Sequence, residues 1–198
     1  LKDNYQNMRL DSTDRIFKFP SNSNNIHVRT GVANAAHPNG NVDYSTLGWD
    51  YNNYNEYRYR MGGCGYLGGG LTFAVIDPVT GLPWISHNYN PDNFGDHMEN
   101  VHCAGKGDQP GFDFPTTGTN GLTGKSWSTE IDEFIDTIPA GHYVLVYSVN
   151  FPSYTNWDAT LVTALGKIGF VAQPFTSGAV DGHLVYFTQK GNPNYNSF

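Results

Sequence analysis

Two continuous apolar runs constrain the fold of this chain more than any other feature. Residues 71–76 read Leu-Thr-Phe-Ala-Val-Ile, and residues 143–149 read Tyr-Val-Leu-Val-Tyr-Ser-Val. Both runs are far shorter than the roughly 20 residues that span a bilayer, and β-branched and aromatic residues favour strands. A strand that is apolar on both faces needs cover on both faces, so we predict that the second run lies centrally in a sheet.

The first run leads into a turn and then into a long polar region. Residues 77–81 read Asp-Pro-Val-Thr-Gly, in which proline presets the bend and glycine can take a positive φ. We predict that residues 83–89 return as the hairpin partner of 71–76. Residues 90–126 are rich in Gly, Asn, Asp and Pro and predict a long loop, which in a compact domain is usually functional or an insertion.

Two segments show the spacing of amphipathic helices. The first carries apolar residues at i, i+3, i+4 and i+7, namely Ile131, Phe134, Ile135 and Ile138. We predict that Ser128 or Thr129 caps it and that residues 139–141 end it. The second is predicted to open at Asn156 and to close at Gly169. Residues 170–171 predict a short strand and residues 183–188 the last strand.

The composition fits strands and turns better than long solvated helices. Charged residues make up 15% of the 198 residues, against about 25% in an average soluble protein. Residues 1–61 show no helical period but several short alternating stretches, which predict a β-rich lead. The fold class is therefore α+β: a mixed β-sheet sandwich flanked by two helices, in a single domain over 1–198 with its core at 62–191.

The core region carries a series of motifs in a recognisable order. Residues 68–81 combine a glycine-rich entry, an apolar strand and a D-x-x-T-G turn. Four further features follow: the helix ending at 139–141, the Val-Leu-Val strand at 144–146, the helix ending at 165–169 and the closing Lys-Gly at 190–191. In this order the chain resembles the interleukin-like EMT-inducer domain, also called the GG or PANDER-like domain, over about residues 68–191.

The resemblance implies a compact sheet-and-helix domain without a recognised catalytic apparatus. Members act as secreted signalling proteins or as accessory domains of glycan-processing proteins, so it implies recognition at a surface. The chain departs from the family in three ways. Much of 90–126 is inserted, residues 179–183 replace an R-D-x-W motif, and the cysteines of the secreted animal members have no counterparts at Cys64 and Cys103.

One aromatic segment of the lead is our candidate ligand site. It consists of Trp49, Tyr51, Asn52, Asn53 and Tyr54. Rigid aromatic faces beside amide groups suit neutral polar ligands, and sugars present C–H faces and hydroxyl rims that match them. The aromatic segment continues with Tyr57 and Tyr59, and the alternative interpretation is that these two rings are simply the packed face of a strand. The tryptophans at 84, 127 and 157 are expected to pack in or at the edge of the core.

The predicted loop concentrates side chains that can bind a metal ion. Our first choices are Asp96, His97 and His102, although no H-E-x-x-H or D-x-D-x-D-G pattern accompanies them. The alternative is a polar loop tied by a disulfide between Cys64 and Cys103. Two buried free thiols would equally account for the two cysteines.

The remaining signals narrow the function class. The net charge of −7 argues against nucleic acid, and no apolar run predicts membrane insertion. The chain has no G-x-S-x-G elbow, and Glu130 and Glu133 are assigned an ordinary capping role. We therefore expect no enzyme activity and no cofactor beyond a structural metal ion.

The expected function is non-catalytic recognition of carbohydrate by a secreted or cell-surface domain, whose partner is a glycan or a surface protein. One alternative is a structural or protein-interaction module of a bacterial or phage surface assembly, within a larger protein. The other is a metal-dependent hydrolase that uses the part of the predicted loop at 92–108. The first residues of the chain read as a mature or excised start.

Overall fold

The computed structural model of the protein describes residues 9–11, 16–18, 25–29, 46–50, 57–60, 70–84, 111–121, 123–149, 153–172 and 182–197. Within these ranges the strands are β1 Arg9–Asp11, β2 Ile16–Lys18, β3 Asn25–Arg29, β4 Thr46–Asp50, β5 Tyr57–Arg60, β6 Gly70–Ile76, β7 Phe112–Pro115, β8 Tyr143–Val149 and β9 Val185–Gln189. The helices are α1 Trp127–Thr137 and α2 Ala159–Gly166, preceded by a short 3₁₀ helix at Tyr154–Asn156.

The main sheet has four strands in the order β7-β6-β8-β9. The predicted central position of β8 is confirmed, because it pairs with β6 on one side and β9 on the other. The predicted mixed sheet is wrong for this sheet, because every pairing in it is antiparallel. β7 runs antiparallel to β6, and after α1 the chain enters β8 in the same direction as β7. β8 is therefore also antiparallel to β6. Together with the two helices this sheet gives an α+β fold.

The strand β7 lies in the region where the sequence predicted only a loop. Its four residues pair with β6 from Gly70↔Pro115 to Phe73↔Phe112. Glycine and proline flank this short strand, and they hid its alternation of apolar and polar residues when the sequence was considered alone. Of the predicted hairpin partner at 83–89, the described residues are Pro83, which makes an isolated bridge to Ile76, and Trp84, whose N–H donates to the Val75 carbonyl at 2.8 Å.

Both helices exist as predicted, but their caps differ from the predicted ones. Ser126 caps α1, with its Oγ accepting from the Thr129 N–H at 3.1 Å, rather than Ser128 or Thr129. Asp158 caps α2 in place of Asn156, and its Oδ1 accepts from the Leu161 N–H at 2.8 Å. A short polar side chain can cap only where the preceding backbone is extended, which spacing alone does not reveal.

Two predicted strand positions are also corrected. The last strand begins at Val185 and ends at Gln189, rather than covering 183–188. Residues 170–171, which we expected to form a short strand, take no regular structure. Gly169 ends the helical region before them with a φ of 84°, which favours glycine.

The core lies between one face of the main sheet and the two helices. Phe73 of β6 makes edge contacts with Phe114 of β7 and Phe134 of α1, at centroid distances of 5.6 and 5.7 Å. The predicted apolar stripe of α1 is confirmed, because all of its members are buried in this core. The three tryptophans at 84, 127 and 157 are buried here too, which confirms their predicted packing role.

The opposite face of the main sheet carries a smaller cluster. Its buried members are Ala74, Leu145 and Tyr147. Ile26 and Val28 of β3 pack against this cluster from a separate three-stranded sheet with the order β3-β4-β5. Among the described residues, no helix is long and apolar enough to cross a membrane.

Glu130 anchors the loop that leads into α1, in contrast to the capping role predicted for it. Its side chain is buried, with 2% exposed, and Oε1 accepts hydrogen bonds from Asn120 Nδ2 at 2.8 Å and from Thr123 Oγ1. Its Oε2 is buried without a hydrogen-bond partner among the described residues. Glu130 therefore acts as an acceptor that holds two loop side chains in place.

Two substitutions of Glu130 should show whether its stabilising effect comes from accepting hydrogen bonds or from its charge. Glu130→Ala removes a buried acceptor of the Asn120 amide and the Thr123 hydroxyl, so we expect the free energy of unfolding to fall by about 2–3 kcal/mol. Glu130→Gln keeps an accepting oxygen and should cost less than about 1 kcal/mol. Urea unfolding of the three proteins measures both values. Equal losses in the two variants would contradict the acceptor role.

Candidate ligand-binding groove

The predicted aromatic site lies largely outside the described residues. Trp49 is within β4, where its backbone pairs with Ile26 of β3 and Tyr57 of β5. The other members lie outside the described ranges: Tyr51, Asn52, Asn53 and Tyr54. Ligand binding by this segment stays a prediction.

The predicted metal ligands and the two cysteines also lie outside those ranges. They are Asp96, His97, His102, Cys64 and Cys103. Within the part of the chain that the structure describes, no three His, Cys, Asp or Glu side chains group as metal ligands. The metal site, the disulfide and the hydrolase that would depend on the metal therefore stay predictions.

A groove that the sequence did not indicate opens between the end of α2 and the segment after β9. Its volume is about 410 Å³. Its lining consists of Gly166, Lys167, Ile168, Gly169, Thr188, Gln189, Gly191, Asn192, Pro193, Tyr195 and Ser197. Glycine, amide and hydroxyl groups dominate this lining, and among these described residues Lys167 alone carries a formal charge. We call this site the C-terminal groove.

One wall of the C-terminal groove is fixed by the turn that ends α2. The Ile168 carbonyl accepts a hydrogen bond from Tyr186 Oη at 3.2 Å. A Cβ placed on Gly169 would lie 3.3 Å from the same hydroxyl oxygen, and its φ is positive. Glycine at 169 therefore lets the α2 turn approach the buried β9 tyrosine closely.

The other wall is the segment that folds back after β9. Asn192 Nδ2 donates to Gln189 Oε1 at 2.6 Å, and the Asn192 N–H donates to the Gln189 carbonyl at 3.2 Å. Farther along, Ser197 Oγ donates to Thr188 Oγ1 at 3.0 Å. These bonds hold amide and hydroxyl groups at fixed places along the groove.

An aromatic cluster supports Tyr195 at the edge of the groove. Tyr143 and Phe187 stack with an interplanar angle of 8° and a centroid distance of 5.8 Å. Tyr195 makes edge contacts with both rings, at 5.8 and 6.1 Å. Partial burial raises the pKa of Tyr195, which keeps its hydroxyl neutral. The groove thus presents a neutral aromatic side chain held by two others.

Two lysines near the groove are both engaged by acceptors of the protein. Lys167 Nζ lies 2.7 Å from Asp132 Oδ1 and 2.8 Å from Asp136 Oδ1, and these bonds, that to Asp132 foremost, raise its pKa. Lys190 Nζ donates to the Ile135 and Ile138 carbonyls at 2.6 Å each. Burial lowers the pKa of Lys190. Lys190 thereby satisfies the carbonyls at the end of α1.

A second group of polar residues lies where β6 ends and β8 begins. Asp77 Oδ1 accepts from the Val79 and Thr80 N–H groups at 2.8 Å each, and these bonds, that from Thr80 foremost, lower the pKa of Asp77. His142 Nε2 lies 3.8 Å from Asp77 Oδ2, beyond hydrogen-bond distance. Trp84 packs on the His142 ring at 5.5 Å. This arrangement stabilises the predicted turn at 77–81.

Sequence patterns gave only weak signals for the C-terminal groove. Gly169 and Lys190-Gly191 stood out, but as the ends of a helix and a strand. Tyr195 and Asn192 lie in a polar stretch without any period. They become neighbours of the α2 turn only when β9 brings them there.

Neither a protein-family model nor a curated protein sequence matches this chain. The resemblance to the interleukin-like EMT-inducer domain therefore stays a prediction. The proposed function therefore rests on the geometry of the described residues.

Replacing Lys190 tests whether it stabilises the end of α1. Lys190→Met removes two charge-assisted hydrogen bonds, and because the side chain is partly exposed we expect a loss of only about 1 kcal/mol in the free energy of unfolding. Lys125→Met is the matched control, since it removes an exposed ion pair with Glu133 and should change stability by less than about 0.5 kcal/mol. Equal losses from urea unfolding would contradict the capping role.

The turn carboxylate predicts a specific dependence of stability on pH. The folded pKa of Asp77 lies below its ordinary value of 3.8, so its stabilisation is present above that pH and is lost as pH falls through the folded pKa. Asp77→Ala should lower the urea midpoint at pH 7, and the difference from wild type should narrow in acid. Asp77→Asn keeps an accepting oxygen and should lie between the two at pH 7. A difference that widens in acid would contradict the assignment.

Proposed function

We propose that this chain is a non-catalytic recognition domain, secreted or on a cell surface, that binds carbohydrate. The observation that supports the proposal is the C-terminal groove with its neutral polar lining and Tyr195. Its volume of about 410 Å³ is suitable for a small ligand, since such sites commonly measure about 300–1,000 Å³.

The chemistry of the lining matches a sugar better than an apolar ligand. Sugars offer hydroxyl groups that both donate and accept, and the amides of Gln189 and Asn192 do the same. The Tyr195 ring supplies a rigid surface for the C–H groups of a pyranose. The groove is fixed by hydrogen bonds within the protein, so a ligand would meet a largely pre-organised site.

Two finer elements of the proposal concern architecture and partners. We propose that the β3-β5 sheet and the main sheet form a sandwich, which the packing of Ile26 and Val28 on the Ala74 cluster supports. The glycan would belong to a surface structure or matrix, and the domain would form part of a larger protein.

A protein-interaction module is the second candidate function. Exposed apolar side chains favour it: Val171 is 69% exposed and Val185 is 45% exposed. Val79, at 91%, stands on the turn after β6. Exposed apolar side chains mark a protein interface where they form a large contiguous patch. The partner in that case would be another protein of a surface assembly.

A glycan array with matched variants tests the proposal. Wild type should bind one class of sugar, and Tyr195→Ala should weaken binding about tenfold or more because it removes the aromatic surface. Tyr195→Phe keeps the ring and should bind within about threefold of wild type. Circular dichroism and thermal melting confirm that each variant is folded.

A second variant distinguishes the C-terminal groove from the predicted aromatic segment. Trp49→Ala/Tyr51→Ala should leave binding unchanged if the groove is the site. Loss of binding in that variant alone would transfer the site to residues 49–54. A folded wild type that binds no sugar on the array would contradict the carbohydrate function and favour protein interaction.

A further inference from the structure

We infer that the C-terminal groove selects neutral sugars and rejects acidic ones, because Lys167, the cationic side chain among the described residues of its lining, is held by Asp132 and Asp136. This inference rests on the proposed carbohydrate function. It names the class of ligand and the residues that set the selectivity.

Two carboxylates of α1 hold the ammonium group of Lys167. It lies at the C-terminal cap of α2, and its ammonium group contacts Asp132 Oδ1 at 2.7 Å and both carboxylate oxygens of Asp136 at 2.8 Å. The two aspartates are one helical turn apart on α1, so both carboxylates reach the same ammonium. This group of three side chains has a net charge of −1.

Lys190, a second cation near the groove, also has partners within the protein. Lys190 donates to the Ile135 and Ile138 carbonyls, so its charge offsets the partial negative charge at the end of α1. The groove also receives the end of α2, which adds partial negative charge from its last carbonyls. Among the described residues that line the groove, no arginine or histidine is present.

An acidic sugar would therefore be disfavoured here. Its carboxylate would approach Asp136, whose side chain is 60% exposed, and would need to displace that residue from Lys167 to gain a partner. The net charge of −7 on the whole chain adds a long-range repulsion. A hydroxyl group meets none of these costs, since it can donate to and accept from the amide and hydroxyl groups of the lining.

Removing the two aspartates should release Lys167 for an acidic ligand. The test variant is Asp132→Asn/Asp136→Asn. The control is Asp77→Asn/Glu133→Gln, which removes two charges from side chains engaged elsewhere, since Asp77 accepts from the turn at 77–81 and Glu133 pairs with Lys125. The probes are immobilised neutral trisaccharides of glucose, galactose and mannose, each beside its 6-carboxyl uronic derivative, so each pair differs only at C6, where a carboxylate replaces a hydroxymethyl group.

We expect wild type to bind the neutral member of one pair about tenfold or more tightly than its uronic partner. The test variant should bind that uronic sugar about fivefold more tightly than wild type and the neutral sugar within about twofold. The control should leave both within about twofold of wild type.

Two results would overturn the inference while leaving the carbohydrate function in place. One is a wild type that binds the uronic member as tightly as the neutral one. The other is a test variant that gains no more uronic binding than the control. A folded wild type that binds no member of any pair would overturn the carbohydrate function and, with it, this selectivity.

Discussion

The pairing of β6 with β8 is the constraint on which the rest of the structure depends. It extends over seven residue pairs, from Gly70↔Val149 to Ile76↔Tyr143, and both strands are the inner strands of their sheet. Alternate residues enter the helix-side core and the Ala74 cluster, so each strand buries side chains on both faces. A one-residue slip in this register would exchange the two faces and would place Phe73 away from α1.

The groove follows from this pairing through β9 and the two helices. β9 aligns with β8 from Tyr143↔Gln189 to Tyr147↔Val185, which carries Lys190 to the end of α1. The same alignment brings the segment after Gly191 beside the α2 turn. A Cβ on Gly191 would lie 3.2 Å from the Ala140 Cβ, and the φ of 75° at this residue favours glycine. The walls of the groove thus come from two segments of the chain, 166–169 and 188–197.

The charges around the groove are satisfied within the protein. The carboxylates of Asp132 and Asp136, with the carbonyls of α1, provide the acceptors for Lys167 and Lys190. The amides of Gln189 and Asn192 and the hydroxyls of Thr188 and Ser197 also bond within the protein, so a ligand would meet their remaining donors and lone pairs and the Tyr195 ring. This division of roles supports a site that discriminates by hydroxyl geometry and by the absence of charge, rather than by ion pairing.

The sequence by itself determined the local elements. The apolar runs specified β6 and β8, and the i, i+3, i+4, i+7 stripe specified the buried face of α1. The Asp-Pro-x-x-Gly turn specified the end of β6. These depend on periodicity and on backbone preference within a few residues. Only the tertiary structure decided that β7 joins β6, that the sheet is antiparallel, that Glu130 anchors a loop, and that Tyr195 faces the α2 turn. Those outcomes depend on contacts between residues far apart in the chain. A local sequence pattern carries no information about the free energy of such contacts.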